Sequence, residues 1–218
     1  MRDSAWCYVL FMFCNPVPAF LVSLLFVVTA TCESLPLLET SELSDFGELS
    51  EPRQKLIETA IQAGKDVAGM PYKYGGNGAA DGGFDCSGAM HFVLHKVGLE
   101  SPRTSSGQFL WVKENSKLHL VASSAKDTED KSFAELKPGD LVFWSGTYEP
   151  TDGRKVDITH VGMFLGFEKK DGRPVMINAT NGRSYRGKKG NGFGVYDFRV
   201  PREGSKSRMV GYGTPPGL

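Results

Sequence analysis

The chain predicts an α+β fold in which N-terminal helices pack on a mainly antiparallel sheet of about five to six strands. Beyond residue 50, apolar residues first recur at helical spacing, and short apolar segments between glycine- and proline-rich turns follow later. Helices followed by strands are typical of this class. Glycine accounts for 26 of the 218 residues, which suits a loop-rich domain better than a helical bundle.

Three helices are predicted before the strands. The first begins near Glu51, where Pro52 suits the first turn, and an apolar stripe follows. The second runs from Cys86 to the residue before Gly98, and the third covers 104–114. Five strands are then predicted at 141–144, 158–166, 175–179, 194–198 and 208–212.

The charge composition argues against two classes of partner. The chain carries 25 basic and 25 acidic residues, so its formal net charge is zero. A nucleic-acid-binding protein usually shows a basic excess or stripe, and a membrane-surface binder shows a polybasic segment. The sequence shows neither, and we expect no nucleic-acid partner.

Residues 1–32 are predicted to be an export signal or a lipoprotein-type signal. An apolar run over 19–30 ends in small residues suited to cleavage, and it is shorter than the ~20 residues that span a bilayer. Secretion, lipidation at Cys32 and retention as an uncleaved anchor all remain open. Residues 33–50 are predicted as a linker and 51–218 as one domain. We expect an exported monomer in the periplasm or cell envelope, with a membrane tether through the N-terminal segment or Cys32 as one option.

Cys86 is the first candidate for a catalytic residue. It is the only cysteine beyond residue 32, and the four cysteines of the chain do not match a zinc spacing. The sequence Asp85-Cys86-Ser87 places the thiol at the start of a helix, where the N-terminus and a neighbouring imidazolium would favour a thiolate near neutral pH. A nucleophile and a small buried hydrophobic side chain both remain compatible with this position.

A cysteine nucleophile needs a base, and elimination among four histidines leaves His160. His91 and His95 lie about 140° and 180° from Cys86 around the second helix, so they point away from the thiol. Their spacing could hold a metal, but no third ligand is evident, so we predict no metal site. His119 lies between helix and sheet without a supporting pattern.

Asn178 is the candidate for orienting His160. The strand that begins near His160 is joined to the next by a turn containing Asp171-Gly172, so the two strands form a hairpin. Asn178 then lies opposite His160 or one step diagonal to it on the neighbouring strand. Gly162 lies on the same face of its strand as His160, and its lack of a side chain permits close approach of another chain or a substrate. Its side-chain carbonyl could accept a bond from one imidazole nitrogen and turn the other towards sulfur. The alternative is that Asn178 is solvated at a sheet edge.

Five motifs occur together in the chain: Pro71-Tyr72-Lys73-Tyr74-Gly75-Gly76, Phe84-Asp85-Cys86-Ser87-Gly88, Pro102-Arg103-Thr104, Leu136-Lys137-Pro138-Gly139-Asp140-Leu141-Val142-Phe143 and His160-Val161-Gly162-Met163. In this order and spacing they resemble the NlpC family, bacterial papain-like cysteine peptidases that cut peptidoglycan stem peptides. Each motif alone is weak, but the ordered set is specific, and the resemblance covers essentially the whole domain. It implies the papain-like NlpC fold.

The resemblance also implies a catalytic set. By it, Cys86 is the nucleophile, His160 the base and Asn178 the third, orienting residue. This third residue is usually histidine in the family. Asparagine, which stands here, is a neutral hydrogen-bond acceptor that fills the same role in other papain-like enzymes. The segment 145–157 is longer than the usual connection, so an altered cleft rim is expected.

Four further residues match family positions at the substrate. Tyr72 resembles a tyrosine beside the thiol that can hydrogen-bond the reacting carbonyl. Asp85 and Ser87 flank the cysteine where the family contacts polar groups of the substrate peptide. Arg103 matches a motif position, and a structural salt bridge explains it equally well.

The implied activity is hydrolysis of an amide in peptidoglycan stem peptides, between D-glutamate and the following diamino acid, without a metal or organic cofactor. Two alternatives remain. An amidase or acyl transferase on the same fold would use the same catalytic residues. A non-catalytic envelope-binding module would keep the fold but have no need of Cys86 and His160, which are both present.

Overall fold

The structure is a computed structural model that describes residues 38–218. The predicted signal over 1–32, its Cys32 and the first residues of the predicted linker lie outside the described residues. In the described part of the chain, no helix combines the length and apolar character needed to cross a bilayer.

Three α-helices lie where the sequence predicts them, namely α1 (Glu51–Asp66), α2 (Cys86–Lys96) and α3 (Ser105–Asn115). Pro52 occupies the first turn of α1. The side chain of Asp85 caps α2 by accepting from the backbone N–H of Gly88. Thr104 caps α3 in the same way, through the N–H of Gly107. Short side chains that satisfy free amides therefore set the start of both later helices.

Within residues 38–218, ten strands follow or interrupt the helices. They are β1 (Asn77–Gly78), β2 (Gly83–Phe84), β3 (Leu118–Leu120), β4 (Leu141–Ser145), β5 (His160–Phe167), β6 (Pro174–Thr180), β7 (Ser184–Tyr185), β8 (Lys188–Lys189), β9 (Gly192–Asp197) and β10 (Arg208–Gly213). Six of them form one antiparallel sheet in the order β3-β10-β4-β5-β6-β9, which confirms the predicted fold class and strand number. β1 and β2 form a short pair, as do β7 and β8.

The sheet is buried on both faces. On one face, Val161, Met163 and Leu165 of β5 pack in the core that includes the apolar sides of α1 and α2. The other face carries an aromatic cluster that the segment between β3 and β4 covers through Ala125 and Phe133. The members of this cluster include Trp144, Phe164, Tyr196, Phe198 and Tyr212.

Helix α2 packs across β5 and β6, in the middle of the sheet. Its buried residues Met90, Val93 and Leu94 follow the predicted stripe. Cys86 at the first turn of α2 therefore lies near the first residues of β5, and β5 begins with His160. The crossing of one helix over one strand brings the two predicted catalytic residues to the same edge of the molecule.

The structure differs from the predicted linker at 38–50. Leu38 and Leu43 are each only 1% exposed, although the segment shows no apolar period. The backbone N–H of Ser44 donates to the carbonyl of Phe167, and that of Lys169 donates to the carbonyl of Glu42. This segment packs on the domain because two leucines and two backbone bonds tie it to the β5–β6 turn.

Replacing Leu43 by alanine tests this packing. We expect the free energy of unfolding to fall by about 2–5 kcal/mol, because the change leaves a cavity in a closed core. Urea denaturation of residues 33–218 measures the loss. The matched control is Leu120→Ala, since Leu120 is 68% exposed, and its effect should stay within about 0.5 kcal/mol. Equal losses in the two variants would contradict a docked segment.

Candidate active site

Cys86 is the first residue of α2 and is only 5% exposed. The carboxylate of Asp85 holds this turn in place. One oxygen accepts from the backbone N–H of Gly88 at 2.6 Å, and the other accepts from the N–H of Gly75 at 3.0 Å. The loop before the helix is thus tied to the first helical turn, which fixes where the thiol points.

Arg103 donates a hydrogen bond to the same carboxylate from each of its two terminal nitrogens. Nη1 lies 2.9 Å from Asp85 Oδ1 and Nη2 lies 3.1 Å from Oδ2. The two nitrogens also donate to Ser87 Oγ at 3.1 Å and to the carbonyl of Gly76 at 2.8 Å. A Cβ at Gly88 would sit 2.3 Å from that carbonyl oxygen, so only glycine fits here. These contacts favour a positioning role for Arg103, which holds the residues on both sides of Cys86.

The environment of Cys86 disfavours its charged form. Burial raises the pKa of the thiol to about 11, and the neighbouring Asp85 carboxylate adds to this effect. The backbone amides of Val161 and Ser87 and the charge of Arg103 lower the pKa without compensating. The expectation of a thiolate near neutral pH therefore does not hold in this structure, because desolvation outweighs the helix N-terminus.

His160 and Asn178 are in direct contact. Asn178 Nδ2 and His160 Nε2 are 2.8 Å apart, and both side chains are buried. Asn178 has no exposed surface and lies in β6 between β5 and β9, so it is not a solvated edge residue. With Nε2 engaged by Asn178, Nδ1 is the ring nitrogen that remains for the thiol.

Gly162 makes room for this contact. A Cβ built at Gly162 would lie 3.1 Å from Asn178 Cβ and 3.3 Å from the carbonyl oxygen of Ile177. The Asn178 side chain can lie over this glycine and reach along the hairpin towards His160. The space that the sequence predicts over Gly162 is therefore occupied by Asn178 of the neighbouring strand.

The imidazole of His160 is neutral in this environment. Burial lowers the pKa of His160 to about 3, and the positive charge of Arg183 contributes to the shift. The ring also lies beside the indole of Trp144, with centroids 5.5 Å apart. A buried neutral imidazole can take a proton from a thiol only when the developing positive charge is stabilised.

The thiol lies near the start of β5 but is not hydrogen-bonded to the His160 imidazole. The sulfur lies near the backbone amide of Val161, which directly follows His160. Within residues 38–218, no hydrogen bond joins Cys86 Sγ to the His160 ring, whose bond is to Asn178. Catalytic bonds of this kind are often long without substrate and shorten when the substrate binds.

Tyr72 lies at the boundary of the site. Its backbone N–H donates to Asn191 Oδ1 at 3.0 Å, which holds the loop beside β9. Burial raises the pKa of its phenol, and Cys86 and Asp85 raise it further. The hydroxyl therefore stays protonated at neutral pH and can donate a hydrogen bond.

Two adjoining cavities form the cleft. One, of about 260 Å³, is lined by Cys86 together with Asp85, Ser87 and Arg103. The other, of about 680 Å³, is lined by His160. Four residues line both cavities and so form the boundary between them, namely Tyr72, Tyr74, Tyr148 and Thr159. The predicted nucleophile and base thus face two halves of one depression.

The segment 145–157 forms part of the cleft rim. Its Arg154 donates to the Tyr148 hydroxyl at 2.7 Å and pairs with Asp152 at 2.7 Å. Tyr148 packs edge-on against the exposed ring of Tyr74, with centroids 5.7 Å apart. Sequence reasoning identified the extra length but missed these side chains, because no local pattern marks them.

The other histidines lie away from the cleft. His91 Nδ1 is 2.9 Å from the carbonyl oxygen of Ser101, and His95 is exposed next to Glu100. His91 is therefore partly buried, and its ring is bonded to the segment between α2 and α3. His119 stacks on Tyr212 in the sheet. Over the residues that the structure describes, no group of three histidine, cysteine or acidic side chains could hold a metal.

The chain belongs to the NlpC/P60 family. The family model matches residues 69–200, more than half of the chain. The match includes Cys86, His160 and Asn178 and extends past the cleft loop at 145–157.

Two curated bacterial proteins are similar to part of the chain. The probable endopeptidase p60 of Listeria monocytogenes is 36% identical over 129 residues, which cover 59% of this chain and 20% of that protein. The bifunctional muramidase/DL-endopeptidase CwlT of Bacillus subtilis is 35% identical over 109 residues, 50% of this chain and 26% of that protein. The chain therefore spans about a fifth to a quarter of the length of these relatives.

A solved structure shares the fold. The lipoprotein-like NLP/P60 family protein of Staphylococcus aureus superposes with a TM-score of 0.50 at 20% identity. The superposition covers 78% of this chain and 43% of the other. The fold is papain-like, as the sequence resemblance implies.

The buried His160 makes stability depend on pH. Its pKa is about 3 in the folded protein and 6.5 for an ordinary histidine, so below pH 6.5 the unfolded chain binds a proton that the folded chain excludes. Stability should therefore fall as the pH drops from 6.5 towards 3, by up to about 1.4 kcal/mol per pH unit from this group.

Urea unfolding between pH 7 and pH 4 measures this dependence. His160→Gln should flatten the acid limb, because no imidazole remains to be protonated on unfolding. The control His95→Gln removes an exposed histidine and should leave the slope unchanged. An unaltered slope in His160→Gln would show that the imidazole is accessible to protons in the folded state.

Proposed function

We propose that the chain is a cell-wall hydrolase that cleaves an amide in peptidoglycan stem peptides, between D-glutamate and the following diamino acid, through a cysteine nucleophile. The observation that carries the proposal is the buried contact between His160 and Asn178 beside a thiol at a capped helix start. The relatives support the same chemistry, since they include a DL-endopeptidase and a gamma-DL-glutamyl hydrolase of Bacillus subtilis, the latter 30% identical over 107 residues.

The first half of the reaction forms a thioester. As the Cys86 thiol attacks the amide carbon, its proton passes to Nδ1 of His160 and a carbon–sulfur bond forms. The oxyanion is held by backbone amides at the start of α2, with the Tyr72 hydroxyl as a further donor. The imidazolium then gives its proton to the leaving amine, and the carbon–nitrogen bond breaks.

The second half restores the enzyme. Water attacks the thioester carbon while His160 takes one of its protons, and the carbon–sulfur bond breaks. The sulfur recovers the proton from His160, and the carboxylic acid product leaves. Because burial disfavours the charged form of both groups, we infer that proton transfer accompanies attack instead of preceding it.

Asn178 selects the tautomer of His160. If its carbonyl oxygen faces Nε2, the ring proton lies on Nε2 and Nδ1 is free to act as base. In this structure the amide nitrogen faces Nε2, an arrangement in which the ring proton must lie on Nδ1, which then cannot accept from the thiol. We infer that the carbonyl faces the ring in the active enzyme, as in other Cys-His-Asn sites.

The smaller cavity suits the acyl side of the substrate. It contains Cys86 together with Asp85 and Ser87, whose positions flank the nucleophile. Both flanking residues are held by Arg103, so we assign Arg103 to positioning rather than to substrate contact. The apolar N-terminal run supports the further proposal that residues 1–32 direct export to the envelope, where such a substrate lies.

Alanine variants of the nucleophile and base test the proposal. We expect Cys86→Ala and His160→Ala to lower kcat on purified muropeptides by at least about a thousandfold, because each removes a group that the chemistry requires. His95→Ala is the control and should retain nearly the wild-type rate. Mass spectrometry of the products identifies the bond cut. Cleavage of another amide or transfer to an amine acceptor would indicate an amidase or acyl transferase instead.

Asn178 has its own test. Asn178→Ala should lower kcat substantially but less than His160→Ala, since the base survives without alignment. Asn178→His should retain more activity than Asn178→Ala, because a ring nitrogen can still accept the bond from His160. Steady-state kinetics on the same muropeptide compares them. A wild-type rate in Asn178→Ala would remove this residue from the catalytic set.

A further inference from the structure

The larger cavity has an unbalanced positive charge. Three arginines line it, namely Arg183, Arg199 and Arg202, together with His160. No aspartate or glutamate from the described part of the chain lines it. Of the three guanidinium groups, that of Arg199 is compensated by Asp197, which lies 2.6 Å away.

Arg183 is the unusual member of this set. Its guanidinium makes no ion pair or hydrogen bond to any residue within 38–218, and it lies over the Trp144 ring at 4.6 Å from the centroid. Burial and the like charge of Arg199 lower the pKa of Arg183 to about 10, so it still carries its charge at neutral pH. A partly buried cation that lines a cavity without an acidic partner favours an anionic ligand there.

The guanidinium of Arg183 lies beside His160, the proposed base. Trp144 contacts both Arg183 and His160, so the guanidinium is held beside the base. In the proposed reaction His160 protonates the leaving amine, which places the leaving residue on the His160 side of Cys86. The larger cavity lies on that side, whereas Cys86 lines the smaller one.

We propose that this cavity binds a carboxylate of the residue on the leaving side of the scissile amide, with Arg183 as the specificity-determining residue. The planar guanidinium can donate two parallel hydrogen bonds to a carboxylate, and the stacked Trp144 ring limits its rotation. This assignment rests on the proposed function. Two sources share the chemistry, namely the main-chain carboxylate of a stem that ends at the leaving residue and a side-chain carboxylate of a diamino dicarboxylic acid.

A carboxylate bound in the larger cavity would also assist His160 as the base. The charge of Arg183 is one cause of the lowered pKa of His160. A bound carboxylate offsets that charge, so it stabilises the imidazolium that forms when Cys86 attacks. The cavity thereby links recognition of the leaving residue to proton transfer, and a substrate without the carboxylate loses both effects.

Binding to a turnover-blocked protein tests the proposal independently of catalysis. Titration calorimetry with Cys86→Ser uses four tripeptides, L-alanyl-γ-D-glutamyl-lysine and L-alanyl-γ-D-glutamyl-diaminopimelate, each with a free or an amidated main-chain carboxylate. We expect at least one carboxylate to improve Kd about tenfold or more over its neutral counterpart. The difference in Kd between the free and the amidated lysine peptide measures the contribution of the main-chain carboxylate. The difference in Kd between the amidated diaminopimelate peptide and the amidated lysine peptide measures the contribution of the side-chain carboxylate.

Arg183→Gln in this background should abolish the preference and leave the affinity for the amidated lysine peptide unchanged. Arg183→Lys should restore part of it, because the charge remains without the planar fork. Lys55→Gln, which removes an exposed positive charge on α1, is the control for general electrostatics and should preserve the preference. Thermal unfolding verifies that each variant is folded.

The outcomes are separable. If the Cys86→Ser protein with Arg183 intact binds all four peptides with equal affinity, the proposal is overturned, whatever the Arg183 variants show. Equal weakening of every peptide by Arg183→Gln would assign Arg183 to packing on Trp144 and would also overturn it. If the carboxylate preference and its loss are found but Cys86-dependent turnover of muropeptides is absent, the binding site stands and the proposed hydrolysis fails.

Discussion

The carboxylate of Asp85 is the fixed point on which the cleft depends. It caps α2, holds the amide of Gly75 in the preceding loop and pairs with both terminal nitrogens of Arg103. A single buried carboxylate thus joins the loop before α2, the first turn of α2 and the segment before α3. The thiol of Cys86 stands on this turn, so its position follows from charge-assisted hydrogen bonds rather than from its own contacts.

Rigidity around the thiol has an electrostatic cost. The same burial that holds Cys86 keeps it neutral, and burial beside Arg183 keeps His160 neutral as well. Burial therefore disfavours the charged form of both side chains. In the proposed reaction a substrate carboxylate would offset the charge of Arg183, which lines the larger cavity and lies over the Trp144 ring.

Division of the cleft follows from the fold. The smaller cavity is built from α2, the loop before it and Arg103, and the larger one from the ends of β5 and β6 and the turn that carries Arg183. The segment 145–157 adds Tyr148 to the boundary, where it meets Tyr74. Different parts of the chain supply most of each half, and only the boundary residues are common to both.

Local sequence signals predicted much of this protein: the three helices, two of them with side-chain caps, the five longer strands, and Cys86 with His160 as the proposed reacting pair. Periodicity and capping depend on neighbours in the chain, so they are legible without a structure. The packing of Leu38 and Leu43, the short sixth strand of the sheet and the isolated charge of Arg183 were decided only by tertiary structure. Each arises from contacts or missing contacts between distant residues, for which no local pattern exists.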